Sequence, residues 1–328
     1  MKRRRLRAIG IVAGALLAGT IALAWLAYQR DLAREVERVS TGSRIAETRC
    51  GPIEFAAMGS GPAVLLVHGA GGGFDQTLGF AEHFARAGFH AIAMSRFGYL
   101  RTPLPADASP AAQADAHACL LDALGVERAA IVGVSAGAPS TMQFALRHPG
   151  RTDAMVLLVP LAFAPRAPSA GPSPIALFML EQATKSDLLY WAVSKAAPSL
   201  VVKTILATPP EVLAGASAQE QARVRELMAQ IMPLGKRQAG LLNEAKIAAS
   251  LPRYDLERIS APTLVVSLED DRYGTFESSR YTAAHIPGAR FIGYARGGHL
   301  WVGHHDEIMA ELTAFLGKPA APLAGLSR

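Results

Sequence analysis

A serine with glycine two positions away on either side, Gly133-Val134-Ser135-Ala136-Gly137, stands between an apolar, β-branched run, Ala129 to Val134, and a segment with helical spacing, Gly137 to His148. A chain that passes from strand to helix in so few residues leaves the apical side chain pointing outward and needs small residues two positions either side of it. The pattern therefore predicts strand, sharp turn and helix, with Ser135 at the apex as a candidate nucleophile. The run before it is short and alternates little, as in a strand buried on both faces of a parallel sheet. The helix after it has Pro139 in its first turn, where a missing N–H costs nothing, and ends before His148-Pro149. A structural serine in a tight turn would give the same five residues, so the rest of the chain must decide.

Strand and helix signals alternate along most of the sequence. An extended pair reads as Glu47 to Ala57 and Ala63 to His68, joined by a turn at Gly59-Ser60-Gly61-Pro62. A helix over Gln76 to Gly88, a strand over His90 to Ser95 and a helix from Ser109-Pro110 to Gly125 follow. Strands then read at Ala129 to Val134 and Ala154 to Val159. From Pro165 to Pro252 the pattern changes to Pro-punctuated helical pieces, including Asp187 to Lys195 and Gln219 to Ile231. Alternation resumes with a strand at Thr263 to Leu268, a helix at Phe276 to Ile286, a strand at Arg290 to Tyr294 and a last helix at His305 to Leu316.

This rhythm implies an α/β fold with a mostly parallel sheet and helices on both faces. A helical insertion between two of its strands is expected to cap the sheet's C-terminal edge, where open α/β sheets bind ligands. The expected division is a leading segment at 1–30, a charged spacer at 31–46, a core at 47–164 and 253–317, a helical cap at 165–252 and a loose tail at 318–328. Phe178, Tyr190 and Trp191 are the aromatic residues the cap offers to a pocket.

The formal charge of +6 suggests an acidic partner until it is located: Lys2, Arg3, Arg4, Arg5 and Arg7 supply five of those charges. The body is near neutral, without the basic surface that nucleic-acid binding requires. The cluster precedes Ala8 to Tyr28, a run without an ionisable group before the tyrosine and long enough to cross a bilayer as a helix. Basic residues on its leading flank predict a cytoplasmic N-terminus and an exported body, with Trp25 and Tyr28 at the membrane interface. Cleavage near Ala22-Leu23-Ala24, leaving a secreted or periplasmic protein, is the alternative. The two cysteines, Cys50 and Cys119, could pair after export, although Cys119 in an Ala- and Leu-rich helical stretch reads more simply as a buried apolar residue. No Cys/His spacing resembles a zinc site, and no metal or organic cofactor is expected.

A serine hydroxyl needs a neighbouring base, itself oriented by a third group. His299, in Gly297-Gly298-His299-Leu300, directly follows the last expected strand, and Asp270 and Asp271 follow the strand ending at Leu268. The order serine, acid, histidine is that of the α/β-hydrolase arrangement. His68-Gly69-Ala70-Gly71-Gly72-Gly73 follows another strand and precedes a helix, so its backbone can aim an N–H at the same edge. A phosphate cradle is the rival reading of that loop, but the Gly-Lys-Ser/Thr ending and the dinucleotide spacing are both missing.

On these residues the segment from about Cys50 to Gly317 resembles the α/β-hydrolase superfamily in its capped, single-serine branch. Ser95-Arg96-Phe97-Gly98-Tyr99 with Arg101-Thr102-Pro103 also resembles the loop these proteins carry after their fourth strand. The resemblance implies Ser135 as nucleophile, His299 as base, the N–H groups of Ala70 and Ala136 as oxyanion hole, and His68, Gly69, Gly133 and Gly137 in support. The family's acid often has Gly three residues before it and Pro four after; around Asp271 these places hold Leu268 and Thr275. Asp271 is the expected acid by spacing, with Asp270 as the alternative and the other serving to solvate the loop. His83, His90, His117, His148 and His285 are expected to be structural or surface residues, and His304 and His305 to cap the final helix.

Capped relatives that open epoxides or displace halides place aspartate at the elbow, so Ser135 implies acyl transfer, most simply on a carboxylic ester. Carbon–carbon bond hydrolysis and cofactor-free perhydrolysis use the same three groups. A non-catalytic ligand-binding protein on this fold is the alternative of another class.

Overall fold

The computed structural model describes residues 2–165, 181–182 and 184–317; Phe178 and the tail at 318–328 lie outside them. Eight strands form one sheet in the order β1-β2-β4-β3-β5-β6-β7-β8. Here β1 is Arg44–Thr48, β2 Gly51–Met58, β3 Ala63–Val67, β4 His90–Met94, β5 Ala129–Val134, β6 Thr152–Leu158, β7 Thr263–Leu268 and β8 Arg290–Tyr294. The β1/β2 and β2/β4 pairs are antiparallel and the remaining pairs parallel.

The expected extended pair is corrected here. β2 hydrogen-bonds to β1 and β4, not to β3, because a tight turn at Gly51 folds β1 back on β2. β3 then enters the sheet beyond β4, in the crossover order of a parallel α/β sheet.

Period-two burial explains why the central strands carry no polar face. In β3, Val64 and Leu66 pack on one side with Phe84 of α2 (Leu78–Arg86) and Leu312 of the last helix. Leu65 and Val67 pack on the other with Leu120 and Leu121 of α3 (Pro110–Ala123) and Phe144 of α4 (Ala138–Arg147). Each such side chain contributes about 1.5–3 kcal/mol by leaving water. Ser109 caps α3 by accepting the Ala112 N–H at 3.2 Å, with Pro110 at the first helical position.

Between β6 and β7 the described residues form helices and no strand: α5 (Asp187–Ala196), α6 (Pro198–Thr204), α7 (Pro210–Ala214), α8 (Ala218–Gln230) and α9 (Gln238–Ala249). The sheet is then closed by α10 (Thr275–His285) and α11 (His305–Leu316). His304 precedes α11 but makes no side-chain cap; it bonds Glu307, while His305 accepts from the Trp301 indole.

The leading helix α1 (Lys2–Ser40) is continuous for 39 residues, about 58 Å at 1.5 Å per residue. It holds a window of mean hydropathy 2.2, none of it buried. The expected spacer is not a free linker. Tyr28, Asp31, Glu35 and Val39 form a buried stripe at helical spacing, and β1 begins four residues after α1 ends. The Tyr28 ring meets Trp191 of α5 edge-on at 5.7 Å, and Asp31 accepts from the Trp191 indole at 3.1 Å and pairs with Lys195 at 3.0 Å. Tyr28 and Trp191 join a small apolar core of their own with Val201, Val224 and Ile231.

Cys119 is not a plain apolar residue. It is bonded to Cys50, which ties α3 to the β1–β2 turn across a sequence separation of 69. By chain-entropy reasoning a closed loop of that length stabilises a fold by about 4 kcal/mol.

Candidate active site

Four strands deliver the site from their C-terminal ends: β3 leads to His68, β5 to Ser135, β7 to Asp271 and β8 to His299. Ser135 sits at φ 49, a left-handed conformation that costs a non-glycine residue of order 1–3 kcal/mol and turns its hydroxyl away from the sheet. The flanking glycines permit this. A Cβ on Gly133 would lie 2.3 Å from Thr141 Oγ1, and one on Gly137 would lie 2.6 Å from the His68 carbonyl oxygen.

Ser135 Oγ and His299 Nε2 are 2.8 Å apart, and His299 Nδ1 and Asp271 Oδ2 are 2.8 Å apart. Both acid and imidazole are buried, whereas Ser135 keeps partial exposure. Asp271 accepts the Tyr273 N–H at 2.9 Å and the Thr275 hydroxyl. Thr275 thus makes a bond that the proline common at this place in the family could not. The Tyr273 ring meets His299 edge-on at 4.8 Å and fixes the imidazole's tilt.

Asp270 faces elsewhere. Its carboxylate accepts the N–H groups of Gly297 at 3.1 Å and Gly298 at 2.7 Å, bracing the loop that ends in His299 rather than merely solvating its own.

The glycine loop lies against the serine: a Cβ on Gly69 would stand 3.2 Å from Ser135 Cβ. Among the described residues no acceptor takes the Ala70 N–H. The Ala136 N–H belongs to the first turn after the elbow, where helix N–H groups lack intrahelical partners. His68 is fully buried; its Nε2 accepts the Arg96 N–H at 3.0 Å, so Nδ1 carries the proton and donates to the Gly69 carbonyl at 2.7 Å. Burial, then the Arg96 guanidinium, hold this imidazole well below its ordinary pKa. It is a neutral brace.

Arg96, singled out in the sequence only as part of a loop pattern, ties both backbones of the candidate oxyanion hole. Its guanidinium donates to the Ala136 carbonyl at 3.2 Å and the Gly69 carbonyl at 3.1 Å, and pairs with Glu244 of α9. The Asp75 carboxylate, in the 3-10 turn Phe74–Thr77 behind the loop, is buried between Arg237 and Arg38. Burial alone would raise its pKa, but Arg237 and then Arg38 outweigh it and hold the carboxyl below the usual carboxylate range. Asp75, Arg237, Glu244 and Arg38 carry no sequence signal that would have marked them, because their partners are far away in the chain.

A hydroxyl bonded to an imidazole, itself bonded to a buried carboxylate, can lose its proton as it attacks an electrophilic carbon. Two N–H groups beside it can take the charge that develops on the attacked carbonyl oxygen.

A family profile described as alpha/beta hydrolase fold matches residues 62–303. An alpha/beta hydrolase fold protein from Nakamurella multipartita, of known structure, is 31% identical and superposes with a TM-score of 0.66, covering 84% of this chain and 98% of that one. A 2-hydroxy-6-oxo-6-phenylhexa-2,4-dienoate hydrolase of Burkholderia cepacia is 26% identical over 264 residues, 78% of this chain and 87% of the relative. An uncharacterized protein of Mycobacterium bovis is 39% identical over 105 residues, and the match spans only 30% of that curated relative's length.

Proposed function

The chain belongs to the α/β-hydrolase fold family, and from that footing we propose that it is a serine hydrolase acting on a carboxylic ester or related acyl compound through an acyl-enzyme. The observation that carries the reading is the 2.8 Å contact of His299 Nε2 with the hydroxyl of Ser135 at its φ of 49, backed by buried Asp271. His299 takes the Ser135 proton as Oγ attacks the acyl carbon. The oxyanion rests on the N–H groups of Ala70 and Ala136, and the imidazolium gives its proton to the departing alcohol. Water, deprotonated by the same imidazole, then releases the acid.

A fluorophosphonate probe tests this directly. Wild type should label and Ser135→Ala should not; an unlabelled wild type would end the enzyme reading and favour a non-catalytic binding protein. Hydrolysis of a carbon–carbon bond is a second reading, supported by the Burkholderia cepacia relative. Assaying a short aryl ester beside a vinylogous 1,5-diketone separates the two by their kcat/KM.

The same proposal places the apolar part of α1 in a bilayer, with the basic N-terminus in the cytoplasm and the hydrolase exported. The Cys50–Cys119 disulfide supports an oxidising compartment. Resistance of the full chain to carbonate extraction is the expected result; release into the soluble fraction would indicate cleavage or another topology.

A further inference from the structure

The end of α1 reaches the glycine loop. Arg38 Nη1 donates to Asp75 Oδ2 at 2.5 Å, and Arg237 Nη2 donates to the same oxygen at 2.8 Å. Asp75 Oδ1 accepts from Arg237 Nη1 at 3.2 Å, and that nitrogen also donates to the Gly72 carbonyl. Both Asp75 and Arg237 side chains are fully buried, so the carboxylate has no water to replace a lost cation. Arg38 is held in turn by Glu35 at 2.6 Å and by the carbonyls of Gln230 and Met232 at 3.3 and 3.4 Å.

Asp75 is followed by the residue that sets the loop's shape. Gln76 Oε1 accepts the Gly69 N–H at 2.8 Å, and its Nε2 donates to the Ala70 carbonyl at 3.5 Å. The placement of the Asp75 turn is therefore passed, through Gln76 and through Gly72, to the peptide that aims the Ala70 N–H. Among the described contacts, Arg38, Asp75, Arg237 and Gln76 make no hydrogen bond to Ser135 or His299.

We propose that Arg38 is a positioning residue for the oxyanion loop, so that docking of the leading helix completes the active site rather than only tethering it. The inference rests on the reading of Ser135 as an acylated nucleophile and Ala70 as an oxyanion donor. Among the described residues the contacts of α1 with the body begin at Ala27, so they survive cleavage near Ala24.

The experiment uses the full chain in detergent micelles, a short aryl ester and a trifluoromethyl ketone whose hemiketal oxyanion occupies the hole. Losing an oxyanion donor outright costs about 100- to 1,000-fold in kcat, and a displaced donor is expected to cost less. Arg38→Gln should lower kcat about tenfold, leave KM within about twofold and weaken the ketone by about the factor lost from kcat. Arg38→Lys should recover most of both losses. Glu35→Gln/Arg38→Gln, which leaves no orphaned carboxylate at Glu35, should behave like Arg38→Gln. Arg34→Gln, on an exposed position one turn earlier, should match wild type. The proposal is overturned if Arg38→Gln and the double variant keep wild-type kcat, if only KM rises, or if kcat falls with ketone affinity unchanged. A wild type that fails to label with fluorophosphonate sinks the hydrolase reading and this one together; a labelled wild type with unaffected Arg38 variants sinks this one alone.

Discussion

The elbow carrying Ser135 and the glycine loop carrying Ala70 face one another across the candidate site, and they are held by different means. The elbow is fixed by neighbours: Gly133 against Thr141, Gly137 against the end of β3, and the Leu161 N–H bonded to the Ser135 carbonyl at 3.0 Å. The loop is fixed by buried charge brought from elsewhere, through Arg96 with Glu244, Arg237 with Asp75, and Arg38. Packing of this first kind tolerates the loss of a polar atom. A buried ion network does not, because Asp75 and Arg237 at its centre are fully buried and have no water to take the place of a lost partner.

The sharpest contrast comes from removing the elbow's own hydroxyl. Ser135→Ala should abolish turnover, a loss of at least about 10⁴-fold in kcat, while leaving the thermal midpoint within a few degrees of wild type. The loop should respond the other way round. Arg237→Met leaves Asp75 buried with only Arg38, and breaking such a pair costs about 3–5 kcal/mol. In a domain of this size that is a fall of about 10 °C in the midpoint by calorimetry. A stable Arg237→Met protein would show that the loop is packed like the elbow and remove the contrast.

The same division governs what could be read from the chain. The elbow, β5, β7, β8 and α11 were legible because their signals are local: an apolar run, a glycine at a tight turn, helical spacing after it. His299 was legible because a Gly-Gly pair announces a turn at a strand end. Asp270 and Asp271 could not be separated by residue type, since the difference lies in where each carboxylate points. Docking of α1 was hidden for a related reason. Its 28, 31, 35 and 39 stripe mixes Tyr, Asp, Glu and Val, and an apolar-periodicity reading takes such a stripe for a solvated spacer. The ion network was invisible because its ion pairs join residues up to 162 positions apart in the chain.

The acidic pair offers a smaller test on the elbow's side of the site. Asp271→Asn should cost about 10⁴-fold in kcat, because an amide opposite Nδ1 favours the wrong histidine tautomer. Asp270→Asn retains one acceptor for the Gly297 and Gly298 N–H groups and turns an amide donor toward the other. Losing one charge-assisted bond is worth about 2 kcal/mol, so kcat should fall about thirtyfold with its pH profile unchanged. A larger loss from Asp270→Asn than from Asp271→Asn would reassign the acid.

The smallest effect concerns the buried imidazoles, one on each side of the contrast: His68 in the loop and His117 behind the elbow. His117 Nε2 is 3.1 Å from Ser140 Oγ, whose own proton goes to the Gly137 carbonyl at 3.1 Å, so the neutral imidazole is the donor. Burial, then the Arg96 charge, push its pKa down to about 3. Below about pH 6.5 the unfolded chain binds a proton at this residue that the folded chain refuses. Its contribution is therefore whole above that pH and drains away from about 6.5 toward 3, with a slope approaching 1.4 kcal/mol per pH unit. Between pH 7.0 and 5.5 that amounts to about 1 kcal/mol. His117→Gln should flatten the acid limb by that amount in urea unfolding at the two pH values, whatever its stability at pH 7.0. The slope that remains belongs in part to His68, whose pKa is also depressed by burial. If His117→Gln left the slope untouched, acid sensitivity would reside in other imidazoles of depressed pKa, His68 in the loop and His305 in the last helix, and the elbow would be the less pH-dependent half of the site.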